Sequence, residues 1–374
     1  MKEITKKLNG DIKRLTNKTF KFDERIKEGW FSAVYFLKTK EIAEKKQPNN
    51  HVTMQFFQKT SEAVLCGTDE AIALVHTFAD EPEKLEIHSL KDGDKIGPYE
   101  TVLTISGAYQ QFGFLEGIID GILARRTSVA TNVYNVVKAA NSSRKQKPVI
   151  FMGDRDDHYT QQAGDGYAAF IGGSTAQATH AMNEWWGKEG MGTMPHAMIQ
   201  MFRGDVVAAS KAYHEIYPED ELVALVDYNN DVITDSLKVA HAFGEELEAV
   251  RIDTSRTLVD KYFLRNHHLM GTFDPRGTNP ELVFALRKAL DDEGFSHVKI
   301  MVSGGFTENR ISYFEEKGVP VDMYGVGGSL LRINIGFTGD NVLFNGVPEA
   351  KEGRRYRPNQ RMEKVEYFPQ DADE

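Results

Sequence analysis

The chain has 374 residues, 41% of them hydrophobic and 27% charged, which excludes a single small module and a disordered chain and predicts one large or two moderate packed domains. Lys and Arg number 45 against 55 Asp and Glu, a net charge of −10, so a broad basic face for nucleic acid is excluded and any bound anion must be held by a local site. The single cysteine, Cys66, rules out an intramolecular disulfide and a Cys-based zinc site.

The N-terminus is charged throughout and lacks an apolar signal region, and no stretch reaches about 18 uninterrupted apolar residues. A cytoplasmic, unprocessed chain with no membrane partner is the expectation. Residues 48–60 and 85–106 alternate apolar with polar positions around Lys91-Asp92-Gly93-Asp94, which predicts antiparallel strands. From about residue 222, short β-rich runs alternate with helical patterns, the signature of βα units around a parallel sheet. The predicted strands are 222–226, 249–252, 298–302 and 322–324, and they run into Asp227, Asp253, Ser303-Gly304-Gly305 and Gly325-Val326-Gly327-Gly328. Helices are predicted over 231–243, 279–294 and 307–318, each opening on a capping residue and the last two closing on glycine. Acids and glycines at the C-terminal ends of successive parallel strands point to a barrel or doubly wound sheet with its site on that edge. After Gly339 the chain turns strand-like and then basic through Gly353-Arg354-Arg355-Tyr356-Arg357-Pro358, so the tail is expected to return to the first domain, with the last few residues disordered. The expected division is 1–112 with 340–374 as an α+β domain and 113–339 as an α/β barrel.

The two Gly-rich turns can expose backbone N–H groups to a phosphate at a helix N-terminus; the alternative for either alone is a tight βα connection. Neither has the spacing of a dinucleotide fingerprint or a Walker loop. Asp227 and Asp253 close neighbouring strands, where Mg²⁺ beside a polyphosphate would find carboxylates; helix capping is the alternative for each. Arg251, two residues before Asp253, shares its strand face and suits bidentate binding of an anion. His196 follows the turn-forming Gly192-Thr193-Met194-Pro195 and can present an imidazole into a cleft or pack as an ordinary side chain. His267-His268, in a polar stretch, reads as solvated.

Taken in order, Phe151-Met152-Gly153-Asp154-Arg155, Phe170-Ile171-Gly172-Gly173, Gly192-Thr193-Met194-Pro195-His196, Arg251-Ile252-Asp253-Thr254, Ile300-Met301-Val302-Ser303-Gly304-Gly305 and Tyr324-Gly325-Val326-Gly327-Gly328 resemble the motifs of nicotinate phosphoribosyltransferases, especially the shorter bacterial and archaeal type. The resemblance implies the type II phosphoribosyltransferase fold, an irregular α/β barrel with a smaller α+β domain built from both chain ends. It implies formation of nicotinate mononucleotide and pyrophosphate from nicotinate and phosphoribosyl pyrophosphate in NAD salvage, with Mg²⁺ required and ATP hydrolysis coupled.

In that family pattern His196 matches the histidine phosphorylated by ATP, Asp227 and Asp253 match acids near ribose and metal, and Ser303, Gly304, Gly305, Gly327 and Gly328 match the 5′-phosphate cradle. Arg155 and Arg251 match arginines lining the pyridine and pyrophosphate region. Tyr35 matches a tyrosine that stacks on the pyridine ring from the partner subunit, which implies a homodimer with a composite site. Pyrophosphate departure leaves an oxocarbenium-like ribosyl centre, so the protein must neutralise the leaving group and align the pyridine nitrogen. Thr175 stands where nicotinamide-using relatives carry an Asp, and favours nicotinate.

The chain departs from the pattern at Arg155-Asp156, where two arginines are common, at Ala33, where an acid is common, and at 256–275, which reads as an insertion. The C-terminal cysteine cluster of some short relatives is missing, so no structural zinc is expected. The alternatives are a nicotinamide-specific or quinolinate-specific transferase, the latter disfavoured for want of a dense basic cluster, and a non-catalytic ligand-binding homologue.

Overall fold

The computed structural model describes residues 12–143 and 146–369; the charged start of the chain and the disorder expected of the last few residues lie outside them. Two compact units form. One runs to Tyr134 and takes in Tyr167–Gly173 and the chain from Arg332; the other comprises Asn135–Gly166 and Ser174–Leu331. The division therefore falls at Tyr134 and Arg332, not at 112 and 340. The reason is the helix Glu116–Ala140, whose Ile119 and Leu123 are wholly buried in the first unit's core with Phe56, Leu74 and Leu103. Tyr167–Gly173 joins the same unit because Gly172 lies so close to helix 116–140 that a Cβ there would stand 2.4 Å from the Ala130 carbonyl oxygen.

The first unit is built on an antiparallel sheet ordered Val347–Pro348, Phe337–Phe344, Val52–Gln58, Leu103–Gly107, Glu86–Ser89, Glu363–Val365. Val52–Gln58 is buried along its whole length, which forces its polar residues to find internal partners. Gln55 does so through the C-terminal segment: its amide donates to the Arg355 carbonyl at 2.9 Å and its carbonyl accepts the Arg357 N–H at 3.0 Å. The basic run 353–357 is thereby tied to the sheet by its backbone, and Arg354 adds a side-chain tie, donating from Nε to Asp340 of the strand Phe337–Phe344 at 2.6 Å.

The second unit carries six parallel strands in the order Ala176–Gln177, Val149–Phe151, Met323–Val326, Lys299–Val302, Leu247–Ile252, Leu222–Leu225. Among the described residues the first and last strands have one neighbour each, so this is an irregular α/β barrel left open. Phe151 lies opposite Val326, Val302 opposite both Tyr324 and Ile252, and Leu225 opposite Arg251. The C-terminal ends therefore share one edge. The intervening helices are Val232–Phe243, Pro280–Asp292 and Glu308–Glu316. Asn279 and Thr307 cap the last two, accepting from Leu282 N–H at 2.9 Å and Arg310 N–H at 3.3 Å. Asp231 makes no such cap; its carboxylate is taken by Arg265.

Residues 256–276 form a short helix, Lys261–Arg265, closed by a bridge between Val259 and Arg276. Asp260 holds this segment to the unit by accepting the Val232 N–H at 3.0 Å. No helix among the described residues is long and apolar enough to cross a membrane.

Candidate active site

Asp227 follows the strand Leu222–Leu225 by two residues, and its side chain is only 3% exposed. Burial of a carboxylate demands partners, and it has three. Oδ1 contacts His196 Nε2 at 3.0 Å, while Oδ2 accepts the Asp253 N–H at 3.1 Å and the Thr254 hydroxyl at 3.4 Å. One carboxylate thus links the neighbouring strand end to the first residue of the helix His196–Met201. Capping of the helix 232–243 is not its role.

An ionised carboxylate only accepts, so the contact places the proton on His196 Nε2 and leaves the Nδ1 lone pair of the neutral ring for other chemistry. The same hydrogen bond raises the imidazole's pKa above its ordinary value, with Asp253 adding to the effect and burial and Arg251 opposing it. The ring is 46% exposed, open to a reactant on one side and held on the other.

Asp253 accepts the Ser303 hydroxyl on Oδ1 at 2.9 Å, and among the described residues its Oδ2 has no hydrogen bond. Gly304 and Gly305 follow with φ of +86° and +67°, the left-handed region where glycine is the least strained residue. Gly327 and Gly328 are not left-handed; close approach explains them. A Cβ on Gly327 would stand 2.8 Å from Asp156 Oδ2 and one on Gly328 2.9 Å from Asp156 Oδ1. Among the described residues the N–H groups of all four glycines donate to nothing. Free N–H groups on adjacent turns are what an anion needs, and a carboxylate, that of Asp156, already lies against one turn.

Arg251 is buried, donates from Nη2 to the Met194 carbonyl at 3.1 Å, and keeps an Nε–H without a partner among the described residues. Burial lowers its pKa from the usual guanidinium range while Asp253 and Asp227 hold it charged; Arg155, exposed, acts against it. The site therefore holds two guanidiniums, of which the buried one has a donor to spare.

Thr175 stands apart from this edge. It pairs at the level of Val149, the first residue of its strand, and its hydroxyl donates to the Val149 carbonyl at 3.1 Å. With its proton so used, Thr175 offers a ligand lone pairs only. Tyr35 belongs to the first unit, where its ring is 64% exposed. Asp156, Arg256 and Arg310 are the residues that sequence reasoning missed at the turns. Arg256 donates to the Gly305 carbonyl, and Arg310 to the carbonyls of Gly304 at 2.8 Å, Gly305 at 3.4 Å and Thr278. Arg310 sits one helical turn past the capping residue Thr307, the one sequence signal that it faces the turn.

Among the described residues no three His, Cys, Asp or Glu side chains are grouped to hold a metal. Asp227 spends its oxygens on protein donors, so it fits the orienting of His196 better than metal binding. Asp253, through Oδ2, fits a Mg²⁺ that takes its other ligands from phosphates and water, the usual habit of that ion.

The family model for the N-terminal domain of quinolinate phosphoribosyl transferase matches residues 33–127. The nicotinate phosphoribosyltransferase pncB1 of Mycobacterium tuberculosis is 28% identical over 277 residues, 71% of this chain and 55% of that protein. The nicotinate phosphoribosyltransferase of Bacillus subtilis is 24% identical over 65% of this chain and 45% of its own length. The chain thus spans about half the length of these curated relatives. Human nicotinic acid phosphoribosyltransferase shares the fold, with a TM-score of 0.64 at 16% identity over 85% of this chain and 75% of its own. The nicotinate-nucleotide pyrophosphorylase of Pyrococcus furiosus aligns over 97% of this chain and 87% of its own with a TM-score of 0.77 and 30% identity. On that near full-length similarity, the chain belongs to the type II phosphoribosyltransferase family that takes in the nicotinate phosphoribosyltransferases and nicotinate-nucleotide pyrophosphorylases.

Proposed function

We propose that the protein is a nicotinate phosphoribosyltransferase of NAD salvage, joining nicotinate to phosphoribosyl pyrophosphate and releasing pyrophosphate. The observation that carries the reading is one strand edge holding the Asp227-oriented His196, the Asp253–Ser303 pair and two turns with free N–H groups. The turns take the 5′-phosphate, for which the Asp156 carboxylate swings off Gly327 and Gly328. Arg251, with its spare Nε–H, and Arg155 neutralise the pyridine carboxylate and the departing pyrophosphate by charge-assisted bonds. No protein nucleophile is needed for the glycosidic bond. Mg²⁺, held at Asp253 with the substrate's phosphates, supplies further neutralisation of the leaving group.

ATP coupling is part of the same proposal. His196 fits a phosphoryl acceptor because Asp227 fixes its ring and leaves Nδ1 open, and a phosphate there adds negative charge that can organise cation and pyrophosphate. Tyr35 fits a stacking residue offered to a partner subunit, which makes the active form a homodimer.

A quinolinate reading is favoured by one observation, the family model over 33–127. That segment ends before Arg155, so it reaches none of the site residues on the strand edge. The discriminating experiment is kcat/KM for nicotinate, nicotinamide and quinolinate with phosphoribosyl pyrophosphate, with and without ATP. Nicotinate should be used in strong preference and stimulated by ATP; preference for either other pyridine refutes the assignment, and no turnover with any of them leaves a ligand-binding homologue. In the ATP arm, His196→Ala should fold, lose ATP hydrolysis and stimulation, and keep a slow ATP-independent synthesis, whereas Asp253→Ala should lose synthesis under both conditions. Labelling and stimulation that survive in His196→Ala overturn the histidine assignment.

A further inference from the structure

Behind the Ser303–Gly305 turn, on its carbonyl side, the second unit holds a separate cavity of about 670 Å³. Its walls come from both ends of the 256–276 segment, Arg256 and Arg276, and from the helix 308–316, Asn309 and Arg310. Its walls carry three guanidiniums, Arg256, Arg276 and Arg310, against two carboxylates, Asp274 and Glu281, and Glu281 has a cation of its own, Lys317 at 3.8 Å. Arg256 and Arg310 make their hydrogen bonds to backbone carbonyls, and among the described residues neither has a carboxylate partner. Arg310 is partly buried, with its guanidinium 4.1 Å from the Phe306 ring centroid. Burial, and after it the charge of Arg256, push its pKa down to about 10. Arg276 does have a carboxylate, that of the exposed Asp274 beside it, and exposed pairs contribute little.

The helices Pro280–Asp292 and Glu308–Glu316 begin on the cavity wall, at Asn279 and Thr307. Thr278, wholly buried on the same wall, has a hydroxyl without a partner among the described residues. With Asp274 engaged by Arg276 and Glu281 near Lys317, the two guanidiniums without a carboxylate partner and the two helix starts leave the cavity suited to an anion.

We propose that this cavity binds a phosphate-bearing small molecule, distinct from the substrate held at the strand edge. Its phosphate sits between Arg256, Arg276 and Arg310. The two sites share the turn: the catalytic side uses the N–H groups of Gly304 and Gly305, and the cavity side holds their carbonyls through Arg256 and Arg310. An anion that draws Arg256 away from the Gly305 carbonyl loosens the turn, so occupancy is linked to the 5′-phosphate site. The linkage rests on the phosphoribosyltransferase reading; the binding does not.

The test is calorimetric titration of the full chain with inorganic phosphate, for wild type, Arg256→Gln/Arg276→Gln and Asn309→Glu. The Asn309 side chain makes no hydrogen bond among the described residues, and an acid at the second position of a helix favours the helix. Asn309→Glu therefore keeps the fold while placing a negative charge in the cavity. Both variants should bind phosphate at this site at least about tenfold more weakly, the loss expected for one charge-assisted bond, with circular dichroism unchanged in both and melting unchanged in Asn309→Glu. Wild-type affinity and stoichiometry in both variants, or no phosphate binding by the wild type beyond a class abolished by Gly328→Glu, overturn the proposal. Loss of phosphate binding in Asn309→Glu supports the cavity even if no pyridine is ever turned over.

Discussion

At the scale of single residues, the site turns on the Asp227 carboxylate, whose buried oxygens act on His196 and on the strand end at Asp253 together. Because the folded-state pKa of His196 lies above the unfolded value near 6.5, the contact's contribution to stability is fully present below that value and is lost as pH rises through the folded pKa. NMR titration of His196 should therefore show a midpoint above the ordinary histidine range, and Asp227→Asn should move it down. A midpoint unchanged by Asp227→Asn would mean that the contact does not govern the ring. The glycines make a second prediction, because the two turns need glycine for different reasons. Gly304→Ala forces a side chain into φ +86° with Asp253 Oδ1 at 3.1 Å, and should cost on the order of 1–2 kcal/mol in urea unfolding. Gly328→Ala collides only with Asp156, so Asp156→Gly should restore its stability and leave Gly304→Ala unrepaired. Equal repair of both would show that Asp156 is not the colliding group.

At the scale of elements, the strands from 222 onward were legible because each is a β-rich run closed by an acid or glycines, and all four appear within three residues of their expected bounds. Val149–Phe151 and Ala176–Gln177 were not, being three and two residues long, too short for any period to show. The candidate acids and turns were legible for the same reason as the strands. Asp156, Arg256 and Arg310 were hidden because tertiary placement brings them to the turns. The Asp231 cap failed because Arg265, from a segment read only as an insertion, competes for the carboxylate. Tertiary pairing also fixes the helix Glu308–Glu316. Its Glu315 is buried, receives Lys147 at 2.6 Å and the Tyr324 hydroxyl, and ties the helix to the strand Met323–Val326. Lys147→Met leaves that carboxylate buried without its cation and should destabilise by roughly 3–5 kcal/mol. Adding Glu315→Gln, which keeps an acceptor for Tyr324, should recover most of the loss; a double variant as unstable as the single one would show that packing around Lys147, not charge, is what matters.

At the scale of the whole molecule, the first unit presents Trp30, Phe31, Val34 and Tyr35 with exposures of 69%, 50%, 63% and 64%. Large apolar side chains grouped and exposed in this way mark an interaction surface. The composite-site reading gives that surface an occupant, a second copy of the chain, and sends Tyr35 into the partner's site while Arg155 serves its own. Tyr35→Ala and Arg155→Ala should then each be nearly inactive as homodimers, for different reasons. In a mixed dimer both defects fall on one site and the other is whole. With equal amounts and free exchange, half the dimers are mixed and each has one working site of two, so about a quarter of wild-type activity should return. The measurement is turnover of the two variants after mixing, beside tagged subunits that report exchange by co-purification. Recovery near a quarter with exchange complete places Tyr35 and Arg155 on opposite subunits of one site. Complete exchange with no recovery places both in the same chain's site, and the dimer, if it forms, then contributes stability but no catalytic group.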